Sequence, residues 1–137
     1  MKKDLSIILI SMVFVFCSFS AEVKLKVTHV KPNCGKVFVS INKTAESFKS
    51  HRPDISLSLE SSSEEIETVL DLEEGEYAFS IFQDLNGDGK INSSFIGIPK
   101  EPYGFTNYDG KGVPGNFNRH KVFIKDAAAI EIPLYMF

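Results

Sequence analysis

The sequence predicts an all-β fold, a seven-stranded β-sandwich carrying one long ordered loop, on three observations. Apolar and polar residues alternate with a period of two in short runs, the signature of strands with one buried face. Clusters of Gly, Pro, Asn, Asp and Ser separate the runs, as closely spaced turns require. No segment shows a convincing helical period. The strands follow in order. Val23, Leu25 and Val27 alternate with Lys24, Lys26 and Thr28. After a turn at Pro32-Asn33, Val37, Val39 and Ile41 do the same. Ile55, Leu57 and Leu59 alternate with serines, and Ser61-Ser62-Ser63 separates them from an extended run of mixed polarity, Ile66 to Leu72. Tyr77, Phe79 and Ile81 form the next inward face. Val122 and Ile124 precede a turn around Asp126, and Ile130, Ile132, Leu134 and Met136 form the last strand. Pro133 has no N–H to give a neighbour, so that strand belongs at an edge or a bulge.

Residues 1–20 read as a secretory signal peptide. Lys2 and Lys3 supply a positive start, Ile7 to Phe16 an apolar run too short to span a bilayer, and Ser18-Phe19-Ser20 a small-x-small site for cleavage near Ser20 or Ala21. An acylated Cys17 is the competing reading, although Phe16 stands where a small residue is expected. Residues 21–137 then form a single domain of roughly 115 residues, enough for one core and too few for two. Export places it in the periplasm or outside the cell, with no transmembrane segment in the mature chain. Cys34 is the sole cysteine left, which excludes an internal disulfide. The net charge of −3 and scattered basic residues exclude nucleic acid as a partner.

Between Asp84 and Phe117 the alternation stops. A gap of more than about thirty residues in a compact domain marks a functional, metal-organised or mobile loop. Its aromatic density (Phe95, Tyr103, Phe105, Tyr108, Phe117) is foreign to disordered linkers, so order is expected. The loop opens with Asp84-Leu85-Asn86-Gly87-Asp88-Gly89-Lys90. Oxygen-bearing side chains at its first, third and fifth positions converge in a tight turn, as a hard cation with oxygens at about 2.4 Å requires. Gly89 marks the sharp bend, Lys90 offers its carbonyl, and Asn92 reaches the ion directly or through water. The glutamate of an EF-hand's twelfth position is missing, because Phe95 stands there. Glu101 is the candidate replacement, folded back by the Gly97-Ile98-Pro99 turn; the plainer alternative is a solvated loop carboxylate. Two readings of the loop stand side by side: a weak calcium site, or a turn whose Asn and Asp side chains bond only their own backbone.

Two resemblances add to this. Leu72-Glu73-Glu74-Gly75-Glu76-Tyr77 resembles the L-x-x-G-x-Y pattern of transthyretin-like and Cna-B-type domains, implying an immunoglobulin-like or transthyretin-like sandwich in which the tyrosine begins a core strand. The run from Tyr77 to Lys90, followed by Gly97-Ile98-Pro99-Lys100-Glu101-Pro102-Tyr103-Gly104-Phe105-Thr106-Asn107, resembles the DUF2141 family. That family's motifs are a G-x-Y-A strand, a D-x-N-x-[DN]-G-K loop and a G-I-P-K-E-x-Y-G-F-S-N segment. The resemblance implies an exported bacterial protein and no particular activity. The chain departs from the pattern at Gln83, where members often carry histidine, and at Asn92, where they carry aspartate. Those departures remove an imidazole and one negative charge.

No catalytic residues are assigned. His29, His51 and His120 lie far apart without metal-ligand spacing, Cys34 has no evident partner, and no nucleophile elbow or phosphate loop occurs. The favoured function is a binding or structural module, with an envelope protein, a peptide or a glycan among the conceivable partners. Tyr103, Phe105 and Tyr108 are candidates for an aromatic platform on the loop, against the alternative that they form its own small core. An enzyme using Asp84, Asp88 and Glu101 as acid, base or metal ligands is the second class.

Overall fold

The computed structural model describes residues 19–137, so most of the segment expected to be a signal peptide, including Cys17, lies outside the described residues. The elements run β1 (Ser20–Thr28), β2 (Val37–Asn42), α1 (Ala45–Lys49), β3 (Ile55–Leu59), β4 (Ile66–Glu73), β5 (Gly75–Gln83), β6 (Tyr103–Phe105), α2 (Phe117–His120), β7 (Val122–Ile124) and β8 (Ala128–Pro133). All seven expected strands are present, and β6 is an eighth that sits inside the expected loop. Within the described residues no helix is long and apolar enough to cross a membrane.

The strands form two sheets around a shared core. The smaller has the order β4-β1-β8, with β1 antiparallel to β4 and parallel to β8. The larger has the order β3-β2-β5-β6, and β7 pairs with the start of β5. Val23, Leu25 and Val27 of β1 are fully buried, as are Val37, Val39 and Ile41 of β2 and Phe79 and Ile81 of β5. They meet in one cluster with Ile66, Leu72, Ile132 and Leu134. Burying each such side chain contributes about 1.5–3 kcal/mol.

The last strand is shorter than its alternation suggests. β8 ends at Pro133 on the edge of the smaller sheet, where the missing N–H leaves no ladder bond unmade. Leu134 N still donates to Thr28 O of β1 at 3.0 Å, and the chain then crosses to the other sheet, where Tyr135 exchanges two backbone bonds with Tyr103 of β6. The Leu72 to Tyr77 corner likewise carries the chain from the smaller sheet to the larger. Leu72 and Tyr77 are both buried, and the Tyr77 hydroxyl donates to Glu73 O at 2.7 Å, fixing the bend between β4 and β5.

The two helices were not expected because each is about one turn long, too short to display a period. Local capping explains them. Thr44 accepts from Ser47 N while the Ser47 hydroxyl accepts from Thr44 N, a reciprocal cap for α1. Asn116 caps α2 by accepting from Arg119 N.

Candidate metal centre in the long loop

β5 delivers the chain into the loop through two anchored residues. Gln83 is fully buried; its amide donates to Lys31 O at 2.7 Å and Cys34 O at 3.1 Å and accepts from Lys31 N at 2.9 Å. Asp84 N donates to Lys36 O at 2.8 Å. The connection between β1 and β2 is therefore clamped against the base of the loop. Gly35 makes this approach possible: it sits at φ +82°, and a Cβ there would lie 1.8 Å from the Asp84 carbonyl oxygen.

The acidic segment folds as a compact turn. Asp84, 4% exposed, accepts from Gly87 N at 3.0 Å and Gly89 N at 2.7 Å, one with each carboxylate oxygen. Asn86 accepts from Asp88 N and donates to Asn92 Oδ1 at 2.8 Å. Asp88 accepts from Asn92 Nδ2 at 3.0 Å and from Lys90 N at 2.9 Å, and these donors hold its carboxyl below the usual carboxylate range. Phe95, at the twelfth position, is fully exposed.

Glu101 does fold back onto this turn. It is 3% exposed, accepting from Leu85 N with Oε1 and from Asn92 N with Oε2, both at 3.0 Å. Lys100 N donates to Asn92 O at 2.7 Å beside it. One carboxylate thus ties the two ends of the acidic segment to the second motif, and the solvated alternative for Glu101 does not hold. Carboxylate oxygens of Asp84, Asp88 and Glu101 lie within 4.8 Å of one another. Each carboxylate has about four acceptor positions, and Asp84 and Glu101 each use two, so lone pairs remain for a cation. The ion pairs among the described residues, Lys26–Glu65, Lys36–Glu60 and Lys121–Glu76, neutralise none of the three.

The family described as an uncharacterized protein conserved in bacteria (DUF2141) matches residues 25–131, from within β1 to within β8. The chain belongs to the DUF2141 family. Strands β2 to β7 and the whole acidic loop fall inside the matched span. No curated protein and no solved structure matches the chain.

The remainder of the loop gives this DUF2141 domain a second, smaller core, and here the platform expectation is corrected. Tyr103 and Tyr108 are buried, stacked at 5.9 Å with their hydroxyls 3.3 Å apart, and Tyr108 donates to Gly112 O at 2.7 Å. Burial, with the Tyr103 hydroxyl beside it, pushes the Tyr108 phenol up to about 12. Phe105 is half-buried, edge-on to Tyr108 and stacked on His120 at 5.0 Å. A loop this long stays ordered by burying its own rings, so the three do not form an exposed face.

His120 belongs to this second core. Fully buried, it donates from Nδ1 to Thr106 O at 2.7 Å and accepts at Nε2 from Gly115 N at 2.9 Å. Burial lowers its pKa, favouring the neutral ring. The Thr106 hydroxyl accepts from Phe79 N at 3.1 Å and donates to the His120 carbonyl, linking the loop to β5. His29 and His51 are exposed, so the histidines do not converge. Cys34 is exposed and free.

Proposed function

We propose that this DUF2141 domain is an exported module of immunoglobulin-like or transthyretin-like type, binding or structural in role, whose long loop is held in place by calcium. The amino-terminal segment directs export, and cleavage near Ser20 or Ala21 frees a domain whose first strand begins at that point. The ion takes oxygens from Asp84, Asn86, Asp88, the Lys90 carbonyl, Asn92 and Glu101. The observation that carries the reading is the approach of three carboxylates within 4.8 Å with no cationic side chain among the described residues paired to them. Two of them, Asp84 and Glu101, are buried, and at that separation they repel by about 3 kcal/mol at an effective dielectric near 20. A bound cation reverses the sign of that energy. With three carboxylates the affinity expected is on the order of 10⁻⁴ to 10⁻³ M, which suits calcium levels outside the cell.

A structural role for the ion is favoured over a catalytic one. Asp84 and Glu101 point their oxygens at backbone N–H groups of their own loop, and the apolar groove lined by Phe48, Phe82 and Phe105 includes none of the three carboxylates. Calorimetry on the purified protein tests the proposal. Calcium should bind with one site per chain, and Asp88→Asn, a change at an exposed position, should weaken binding at least tenfold. Absence of heat at millimolar calcium would remove the proposal. Sequencing the amino terminus of the exported protein checks the cleavage point, and a chain retaining its first eighteen residues would contradict it.

A further inference from the structure

The outer face of the larger sheet is the least expected surface of the molecule. Register places Phe38, Phe82 and Tyr103 in one row across β2, β5 and β6, and Ser40, Ser80 and Phe105 in the next. A water-facing side of an antiparallel sheet is ordinarily polar, whereas this one is covered. Phe48 of α1 leans over it, its ring 6.2 Å from that of Phe105, and Pro114 and Gly115 also line the space. Between sheet and cover lies a groove of about 470 Å³, within the range of about 300–1,000 Å³ typical of small-molecule sites.

Its chemistry is uneven in a useful way. Phe48, Phe82 and Phe105 supply apolar walls, and Ile91 and Pro53 stand at the sides. Ser40, Ser80 and Asn42 supply polar groups on the sheet face. Asn42 follows Ser40 by two residues, so both point to the same side of β2. Only 4% of Asn42 is exposed, and its Oδ1 is sealed from solvent with no hydrogen-bond partner. A buried acceptor left unmatched is rare in native proteins and calls for a partner. Among the described residues no Lys, Arg, Asp or Glu lines the groove, and His51 is its one titratable side chain.

We infer that this groove is a binding site for a small, neutral, ring-bearing molecule that donates one hydrogen bond, from N–H or O–H, to Asn42 Oδ1, the side-chain amide turning its oxygen into the groove as the ligand enters. The rings of Phe48, Phe82 and Phe105 hold the planar body, and the serines accept or donate at its edge. A charged ligand is disfavoured because no Lys, Arg, Asp or Glu among the described residues lines the groove to balance its charge. The site goes beyond the calcium reading and does not require an ion, although Ile91 comes from the acidic loop.

The test uses the neutral fluorophore N-phenyl-1-naphthylamine, which carries one N–H, with its N-methylated analogue as the control lacking a donor. The purified protein should give saturable, blue-shifted emission at one site per chain. The methylated analogue should bind at least tenfold more weakly, and Asn42→Leu should abolish that difference. Ser80→Phe, which fills the groove, and Ile91→Ser, on its exposed rim, should each weaken binding at least tenfold with the circular dichroism spectrum unchanged. Ile91→Ser keeps the test decisive should Ser80→Phe not fold. Lack of saturable emission, equal binding of the two probes, or unchanged binding in Ile91→Ser would overturn the inference. Titrations run in chelator and in calcium separate the two proposals: binding in both supports the groove even where calorimetry finds no ion, and binding in calcium alone supports the groove together with the ion.

Discussion

Replacing Gly35 by alanine should damage this domain more than any other single methyl addition in its loops. Two costs combine there. An L-residue at φ +82° pays about 1–2 kcal/mol for left-handed backbone. The new Cβ would also lie 1.8 Å from the Asp84 carbonyl oxygen, and neither backbone can yield cheaply. The connection between β1 and β2 would have to withdraw, straining the bond from Asp84 N to Lys36 O and the three made by the Gln83 amide. Overpacking of this kind costs about 1–3 kcal/mol, and each strained hydrogen bond about 0.5–1.5 kcal/mol more. The total should reach at least about 3 kcal/mol, a large part of the roughly 5–15 kcal/mol that holds a domain together. Gly87→Ala is the matched control, because Gly87 has φ +76° and a Cβ there would meet nothing within 4 Å. It should cost only the backbone term, about 1–2 kcal/mol. Urea unfolding of both variants measures the difference. A Gly35→Ala protein within about 0.5 kcal/mol of Gly87→Ala would refute the claimed contact between this connection and the base of the acidic loop.

Three further outcomes follow from the loop's interior. His120 is held neutral by burial, so the unfolded chain binds its proton more readily. Stability should therefore fall as pH drops below about 6.5, by at most about 1.4 kcal/mol per unit, and stay level just above neutrality; His120→Gln should lose that slope in denaturant titrations between pH 5 and 7. Thr106→Val leaves Phe79 N without its acceptor inside the core and should cost about 1–3 kcal/mol, measured by the urea midpoint. Glu101→Ala removes two charge-assisted bonds worth together about 3–6 kcal/mol and relieves about 3 kcal/mol of repulsion with Asp84. Its net effect in chelator should stay below about 3 kcal/mol, while hydrogen exchange speeds selectively at the Leu85 and Asn92 amides.

The sequence carries the strands openly because each has one face in the shared core, so burial prints a period of two onto it. Val23, Leu25 and Val27 are the clearest case. What escaped is whatever lacks length or a periodic reason. β6 has three residues, α1 and α2 barely a turn, and α1 depends on the reciprocal Thr44 and Ser47 cap. The division into two sheets, with the first and last strands parallel neighbours, is set by long-range pairing that no local window contains. Glu101 was findable because a turn and a missing ligand both pointed to it. His120 and Asn42 were not, because a satisfied histidine and an unsatisfied asparagine look alike until their neighbours are known.

The measurement that bears most directly on the account is the melting temperature of the purified protein in chelator, in 10 mM calcium and in 10 mM magnesium. With a dissociation constant of 10⁻⁴ to 10⁻³ M, calcium at that concentration stabilises by about 1.4–2.7 kcal/mol, or about 4–12 °C for a domain of this size. Magnesium should do less, since it gives up water reluctantly and demands tighter octahedral geometry. The rise should disappear in Asp88→Asn. A melting temperature identical in chelator and calcium would contradict the claim that an ion holds the loop, and would leave Asp84, Asp88 and Glu101 as a hydrogen-bonded turn alone.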